Sequence, residues 1–253
     1  MRRERRKHRT CLPTICVGVS VLLFLLSLGL LLHRCTHPPR PKWELHGQTL
    51  SLGTGQAVTL QRQEPQLPNG CEVTSLAMLL EGAGYCVDKE ELYWEYLPRQ
   101  NFSYDSQGRE TGSNPEQVYV GDASTETAGW YCFEAPLVEA GNRYLQQQGS
   151  DLELQVVSGL SQETLNEYLD QATPLVVWVT LDYDQPARCD GGWYLADGSF
   201  YSPYRNLHCV VVAGYGEEGY LTADPLHGWR WVEETTFWTV FDAMERRAVV
   251  VET

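Results

Sequence analysis

Basic side chains are scarce in the chain beyond residue 42. The 253 residues contain 19 Lys and Arg against 33 Asp and Glu. Residues 1–42 hold nine of the basic residues and one of the acidic ones, which leaves ten against 32 and a net charge of −22 for the remainder. Nucleic acid and anionic lipid would both repel so acidic a region. We therefore expect no nucleic-acid partner.

Cysteine pairs spaced as C-x-x-C are also missing beyond residue 42. This absence disfavours a structural zinc site, and we predict no metal ion or cofactor. If Cys71 is reactive, the other four cysteines permit two disulfides in three pairings, and their spacing selects none of them. Cys209 lies in an apolar stretch, where a buried thiol is expected. The four are Cys86, Cys132, Cys189 and Cys209.

Charge is absent from residues 15–32, which are apolar or small and numerous enough to span a bilayer. Six basic residues precede this stretch, and few follow it. The chain is predicted to have a basic cytoplasmic tail (1–10), an uncleaved transmembrane signal anchor (11–33), a Pro-rich spacer (34–50) and one domain (51–253). Because positive charge favours the cytoplasmic side, we expect a single-pass cell-membrane protein whose C-terminal domain is extracytoplasmic.

The domain lacks repeats, and its hydrophobic pattern predicts helices first and a mostly antiparallel sheet later, an α+β fold. Residues 99–131 and 182–204 are rich in turn-forming residues and are predicted to be long surface loops. The helices are expected at 71–84, 89–96, 135–148, 162–171 and 237–244. The strands are expected at 53–61, 152–157, 175–181, 208–215, 220–224 and 248–251.

Cys71 stands at the predicted start of the first helix. The sequence Leu-Pro-Asn-Gly-Cys-Glu at 67–72 is a turn, and apolar residues then follow at i, i+3, i+4 and i+7. Unpaired N–H groups and the positive end of the helix dipole favour a thiolate there, which is the reactive form of cysteine. Cys71 is therefore a candidate nucleophile.

A cysteine nucleophile needs a base and an acceptor that orients the base, and His208 and Asp224 are the candidates. They lie on two strands of a predicted hairpin. A symmetric turn between Glu217 and Glu218 would place Asp224 opposite Val211, three residues from His208 and facing the other side of the sheet. The two side chains can meet only if the hairpin is irregular, so we predict a bulge or an asymmetric turn near residues 212–222.

The oxyanion formed by thiolate attack needs hydrogen-bond donors. The N–H of Cys71 can supply one of them. An upstream amide can supply the other, and the spacing does not separate Gln61, Gln63 and Gln66.

Five short motifs lie along the domain: LPNGCE (67–72), GD (121–122) with GWYCF (129–133), PLVVWVT (174–180), HCVVVAGY (208–215) and ADPL (223–226). With these motifs the chain resembles the C39-like peptidases of bacterial surface proteins from about residue 55 to the C-terminus. The resemblance implies a papain-like fold in which a helix carries the nucleophile Cys71 and an antiparallel sheet carries the base His208 and the orienting carboxylate Asp224. It also makes Gln63 a better match for the oxyanion glutamine than Gln66.

We therefore expect a membrane-anchored thiol hydrolase that cleaves a peptide or amide bond in a peptide or protein substrate. Two alternatives stay open. One is an acyl transferase with the same triad, and the other is a catalytically inactive module that binds peptide or glycan through aromatic loops. Cytoplasmic leader processing is disfavoured, because no transporter follows and the predicted topology places the site outside. The oligomeric state is left open.

Overall fold

The computed structural model describes residues 23–24, 27–28, 43–53 and 55–252. Almost all of the membrane anchor predicted at 11–33, and most of the spacer, lie outside these residues. Among the described residues, we find no helix that is both long enough and apolar enough to cross a membrane.

The main sheet has six strands and is antiparallel throughout, in the order β14-β13-β12-β9-β15-β8. Its strands are β8 (Glu153–Val156), β9 (Leu175–Thr180), β12 (Leu207–Gly216), β13 (Gly219–Asp224), β14 (Gly228–Val232) and β15 (Ala248–Glu252). The helices are α1 (Cys71–Gly82), α2 (Lys89–Glu91, continued by a π-helical turn Leu92–Tyr96), α3 (Glu134–Gln147), α4 (Gln162–Asp170) and α5 (Glu234–Ala243). The predicted α+β class is confirmed.

Alternate side chains along the strands of the sheet pack into two separate hydrophobic cores. On β12, Cys209 and Val211 belong to the core beneath α1 and α3, whereas Val210 and Val212 belong to the core beneath α4 and α5. Because successive strand residues point to opposite faces, the apolar run of β12 serves both layers at once. The sheet is therefore covered by helices on both sides.

Helix α1 is buried from Cys71 to Leu80 on every side. The sequence predicts its extent well, but the amphipathic pattern is an incomplete guide to its burial. The helix also contacts β3 (Ala57–Thr59), β9 and β12, so its polar residues Thr74 and Ser75 are enclosed as well. The Ser75 hydroxyl donates to the carbonyl of Cys209 at 3.1 Å, which ties α1 to β12.

Both segments predicted to be loops contain short strands. These are β4 (Arg99–Gln100), β5 (Ser103–Tyr104), β6 (Glu110–Thr111), β7 (Tyr119–Val120), β10 (Trp193–Tyr194) and β11 (Phe200–Tyr201). The two excursions join in one small sheet of order β11-β10-β6-β5. Two-residue strands carry no readable periodicity, which explains why the sequence does not reveal them.

Two other regions also differ from the sequence prediction. The last part of the predicted spacer forms strands β1 (Glu44–His46) and β2 (Thr49–Ser51), which pair with each other and, through β2, with β3. The edge strand β14 was not predicted, because its Trp-Arg-Trp centre is half-buried throughout and shows no alternation.

Candidate active site

Hydrogen bonds fix the conformation of the loop before Cys71. The N–H of Gly70 donates to the carbonyl of Leu67 at 2.8 Å, and the hydroxyl of Tyr119 donates to the carbonyl of Asn69 at 2.7 Å. A Cβ on Gly70 would lie 2.6 Å from the Cβ of Leu67, so only glycine fits the turn. As the first residue of α1, Cys71 has an N–H that the helix itself cannot use.

His208 and Asp224 form a buried pair, with 2.8 Å between His208 Nε2 and Asp224 Oδ1. Tyr215 pairs with Tyr220 near the turn, but the register shifts between Val212 and Gly214. The predicted irregularity is thus confirmed as a bulge in β12. On the far side of the bulge Val211 pairs with Ala223. If this register is continued by one residue, Asp224 lies opposite Val210. Asp224 therefore faces the same side of the sheet as His208.

Asp224 accepts hydrogen bonds from several donors besides His208. The backbone N–H groups of Leu226 and His227 lie 2.8 and 3.1 Å from its Oδ1, and the ring Nδ1 of His227 lies 3.0 Å from its Oδ2. Burial by itself would raise the pKa of Asp224, but the hydrogen bonds and the charge of His208 outweigh it and hold this pKa well below the usual range. The carboxylate is therefore ionised.

One cleft of about 290 Å³ is lined by Cys71, His208 and Gln63 together. The structure separates the three candidate glutamines. Gln63 is 2% exposed and its Nε2 donates to the carbonyl of Pro68, whereas Gln61 bonds the carboxylate of Glu81 and Gln66 is exposed. Gln63 is thus the one of these glutamines that reaches the cleft.

The expectation of a favoured Cys71 thiolate is wrong for the free protein. Burial raises the pKa of the Cys71 thiol well above its ordinary value, and the neighbouring Glu72 raises it further when it is ionised. The thiol lies 3.4 Å from Glu72 Oε2 and can donate to it. The helix terminus is present as predicted, but enclosure of Cys71 removes the water that would solvate a thiolate.

Five cysteines between residues 43 and 252 are all free thiols. The two disulfides that the sequence permits are therefore not formed. Cys86 is exposed, Cys189 is half-buried, and Cys132 is enclosed in the core. Cys209 is fully buried, as predicted.

Aromatic side chains from the two segments that were expected to be loops frame the cleft. Trp130 and Tyr131 line it, and so does Tyr204. Trp193 is instead buried and packs against Trp130 with 5.6 Å between ring centroids. At the rim stand the exposed charges of Glu126 and Arg205.

One group of side chains among the described residues has donor atoms close enough to hold a metal ion. The ligand atoms of His208, Asp224 and His227 all lie within 4.8 Å of one another. However, the guanidinium of Arg230 lies 3.6 Å from Asp224 Oδ2 and 3.3 Å from His227 Nδ1. The hydrogen bonds already explain the closeness of the three groups, and the positive charge of Arg230 opposes a second cation.

His227 is the contact that sequence reasoning missed. It lies in the connection between β13 and β14, three residues after Asp224. Recognition of β14 as a strand would have predicted a tight turn at 225–227, and hence a histidine beside the carboxylate.

Comparison with known proteins identifies the family of the chain. The family model described as Peptidase_C39 like family matches residues 56–249. The uncharacterized protein YvpB of Bacillus subtilis (strain 168) is 29% identical over 194 residues, which cover 76% of this chain and 72% of that protein.

Among solved structures, a putative C39-like peptidase from Bacillus anthracis aligns with a TM-score of 0.65 and 28% identity. The alignment covers 78% of this chain and 94% of the other. The family match spans Gln63, Cys71, His208 and Asp224, and the similarity in fold covers most of the domain. The chain therefore belongs to the C39-like peptidase family.

Proposed function

We propose that the chain is a thiol hydrolase that cleaves a peptide or amide bond. In this proposal Cys71 is the nucleophile, His208 the general base and Asp224 the carboxylate that orients it. The observation that carries the proposal is the cleft shared by Cys71, His208 and Gln63, with Asp224 hydrogen-bonded to His208. Family membership supports a cysteine peptidase as the class of enzyme.

The proposed reaction begins with proton transfer from the Cys71 thiol. Because Asp224 holds His208 Nε2, Nδ1 is the ring nitrogen that receives the proton. The sulfur attacks the carbonyl carbon, and a tetrahedral intermediate forms. His208 then returns the proton to the leaving amine as the C–N bond breaks, and a thioester remains on Cys71. Water, activated by His208, hydrolyses the thioester and restores the thiol.

The negative oxygen of the intermediate requires donors already in place. The N–H of Cys71 is one, since the helix has no use for it. The second is Gln63 Nε2, whose carboxamide has two N–H bonds and uses one of them on the carbonyl of Pro68. Its buried position would fix the direction of the remaining N–H.

Burial of Cys71 makes the neutral thiol the resting form under this proposal, because it raises the pKa of the thiol. Proton transfer to His208 is then coupled to the attack on the substrate rather than completed beforehand. A neutral thiol is a weaker nucleophile than a thiolate, so Cys71 would react more slowly with soluble electrophiles than an exposed thiolate does.

In this proposal the arrangement is papain-like, with the nucleophile on a helix and the base and carboxylate on an antiparallel sheet. A peptide substrate fits a cleft framed by Trp130, Tyr131 and Tyr204, because aromatic faces bind extended chains by apolar contact. Glu126 and Arg205 add one charge of each sign to the lining of the same cleft.

The proposed location is extracytoplasmic, on a membrane anchor formed by residues 11–33. The uncharged stretch at 15–32 and the basic cluster before it support this topology. A reporter enzyme that is active only outside the cytoplasm tests it. Fusion after residue 42 is expected to give an active reporter, and fusion after residue 10 an inactive one. The opposite pattern would refute the orientation.

The hydrolase itself is tested with a thiol-directed peptidyl electrophile on the full-length protein. Five cysteines are first replaced by alanine. Cys86 and Cys189 are replaced because both have access to solvent, and Cys11, Cys16 and Cys35 because they lie outside the proposed domain. We expect covalent modification of this parent and none of its Cys71→Ala variant, with the adduct located by mass spectrometry. A folded parent that stays unmodified would argue against the proposal. Peptide hydrolysis with and without an added amine then distinguishes hydrolysis from acyl transfer.

A further inference from the structure

Glu72 is fully buried directly beside the proposed nucleophile. Its Oε2 lies 3.4 Å from Cys71 Sγ, and its Oε1 has no hydrogen-bond partner among the described residues. Burying a carboxylate without a counter-ion is energetically costly, so such a group normally stays protonated. An acid placed so unfavourably next to a catalytic cysteine calls for a function.

The groups that face Glu72 provide no positive charge. Besides Cys71 they are Tyr119 on β7, Cys132 in the segment before α3, and Cys209 on β12. Each is neutral, or becomes negative when it ionises. Burial accordingly raises the pKa of Glu72 to about 8, although nearby backbone N–H groups favour its ionised form. At neutral pH Glu72 therefore carries its proton.

We propose that Glu72, as a neutral acid, donates a hydrogen bond from Oε2 to the Cys71 sulfur when the thiolate forms. The inference rests on the proposed function of Cys71. In the resting state the thiol donates to Oε2. Once the thiol proton has moved to His208 Nδ1, the direction of the hydrogen bond reverses, and the Glu72 proton stays on Glu72. The negatively charged sulfur then accepts a hydrogen bond from Glu72 on the buried side of Cys71.

This role differs from the usual one of an acid in the first turn of a helix. A carboxylate that stabilises the helix dipole acts through its negative charge. A negative Glu72 would instead oppose the thiolate beside it. Glutamine keeps an N–H donor but has no charge and no titration, whereas methionine keeps the volume but has no donor. The two substitutions therefore separate a donor from a charge.

The test measures the alkylation rate of Cys71 with iodoacetamide between pH 5 and 9.5, in the full-length parent in which Cys11, Cys16, Cys35, Cys86 and Cys189 are alanine. At pH 6 we expect Glu72→Gln to react within about 3-fold of the parent, and Glu72→Met at least about 10-fold more slowly, equivalent to one unit in the thiol pKa. Above pH 8 we expect Glu72→Gln to react faster than the parent by about 3-fold or more, because the parent then gains the opposing charge. Circular dichroism checks that each variant is folded.

Two results would overturn the inference. One is a folded Glu72→Gln variant that reacts at least about 10-fold more slowly than the parent at pH 6, which would mean that the charge is needed. The other is a Glu72→Gln profile that coincides with the parent above pH 8. If Glu72→Met does not fold, the Glu72→Gln profile alone decides. Alkylation of Cys71 requires no peptidase activity. If the alkylation profiles are as expected but the protein hydrolyses no peptide, the hydrolase is refuted and the role of Glu72 stands.

Discussion

Asp224 faces the same side of the sheet as His208 because β12 contains one more residue than its partner strand between Val212 and Gly214. The extra residue, Ala213, changes the pairing of Asp224 from Val211 to Val210. Since side chains alternate along a strand, this single step brings the carboxylate within 2.8 Å of the imidazole. The bulge thereby determines whether the pair can form at all.

The pair predicts strongly non-additive kinetics. We expect His208→Ala and Asp224→Ala each to lower kcat for peptide hydrolysis by roughly 10²–10⁴-fold, because the carboxylate acts only through the imidazole. The kcat of the double variant should then lie within about 3-fold of the kcat of His208→Ala. The measurement is a double-mutant cycle on kcat. Additive losses would show that Asp224 works independently of His208.

Gln63 and Gln66 form a matched pair for testing the oxyanion donor. Replacement of Gln63 by alanine is expected to lower kcat by roughly 10²–10³-fold with little change in KM, because the donor acts mainly in the transition state. Gln66 is three residues away and exposed, so Gln66→Ala should leave kcat within about 2-fold of the unmodified protein. Steady-state kinetics on both variants checks this, and equal effects would reject Gln63 as the donor.

Gly70 is expected to be essential for the turn that delivers Cys71. Gly70→Ala should lower the free energy of unfolding by about 1–3 kcal/mol, because the new Cβ would collide with Leu67. Gly191 is the control, since a Cβ there meets nothing within 4 Å, and Gly191→Ala should change stability by less than about 0.5 kcal/mol. Urea unfolding of the two variants gives both values. Equal stabilities would mean that the turn can relax.

Glu72 is expected to make the protein less stable as the pH rises. Its pKa is about 8 in the folded protein and near 4.5 when unfolded, so the folded state holds a proton that the unfolded state has lost between these values. The free energy of unfolding then falls by up to about 1.4 kcal/mol per pH unit in this window. Glu72→Gln removes this contribution, so its stability relative to the unmodified protein should rise steadily from pH 5 to pH 8 in urea unfolding. A constant difference would show that Glu72 is already ionised at pH 5.

The sequence predicts the elements that carry long apolar patterns, and it predicts them closely. Helix α1 begins at Cys71 as expected, and the long strand β12 follows its predicted range with one residue added at each end. Periodicity extends over several turns or several strand residues in both. The need for a bulge was also foreseeable, because parity along a hairpin is a matter of counting.

The electrostatics of the site could not be predicted in the same way. The position of Cys71 at a helix start indicates a thiolate, but the burial that opposes it comes from contacts with β7, β12 and the segment before α3. These elements lie far from Cys71 in the chain. Likewise, nothing in the sequence near Gln63 distinguishes it from Gln61. The amide of Gln61 donates a hydrogen bond to the carboxylate of Glu81 on α1. Enclosure by distant residues is not visible in local patterns.

The hydrogen bond from Ser75 to Cys209 joins two segments that are synthesised far apart, since 134 residues separate them. Helix α1 can form early on the ribosome, but β12 emerges only after about four-fifths of the chain has been made. Until then the Cys71 side of the cleft has no histidine opposite it. A nascent or truncated chain would therefore present a thiol but no base, and any peptidase activity would report that the last third of the domain had folded.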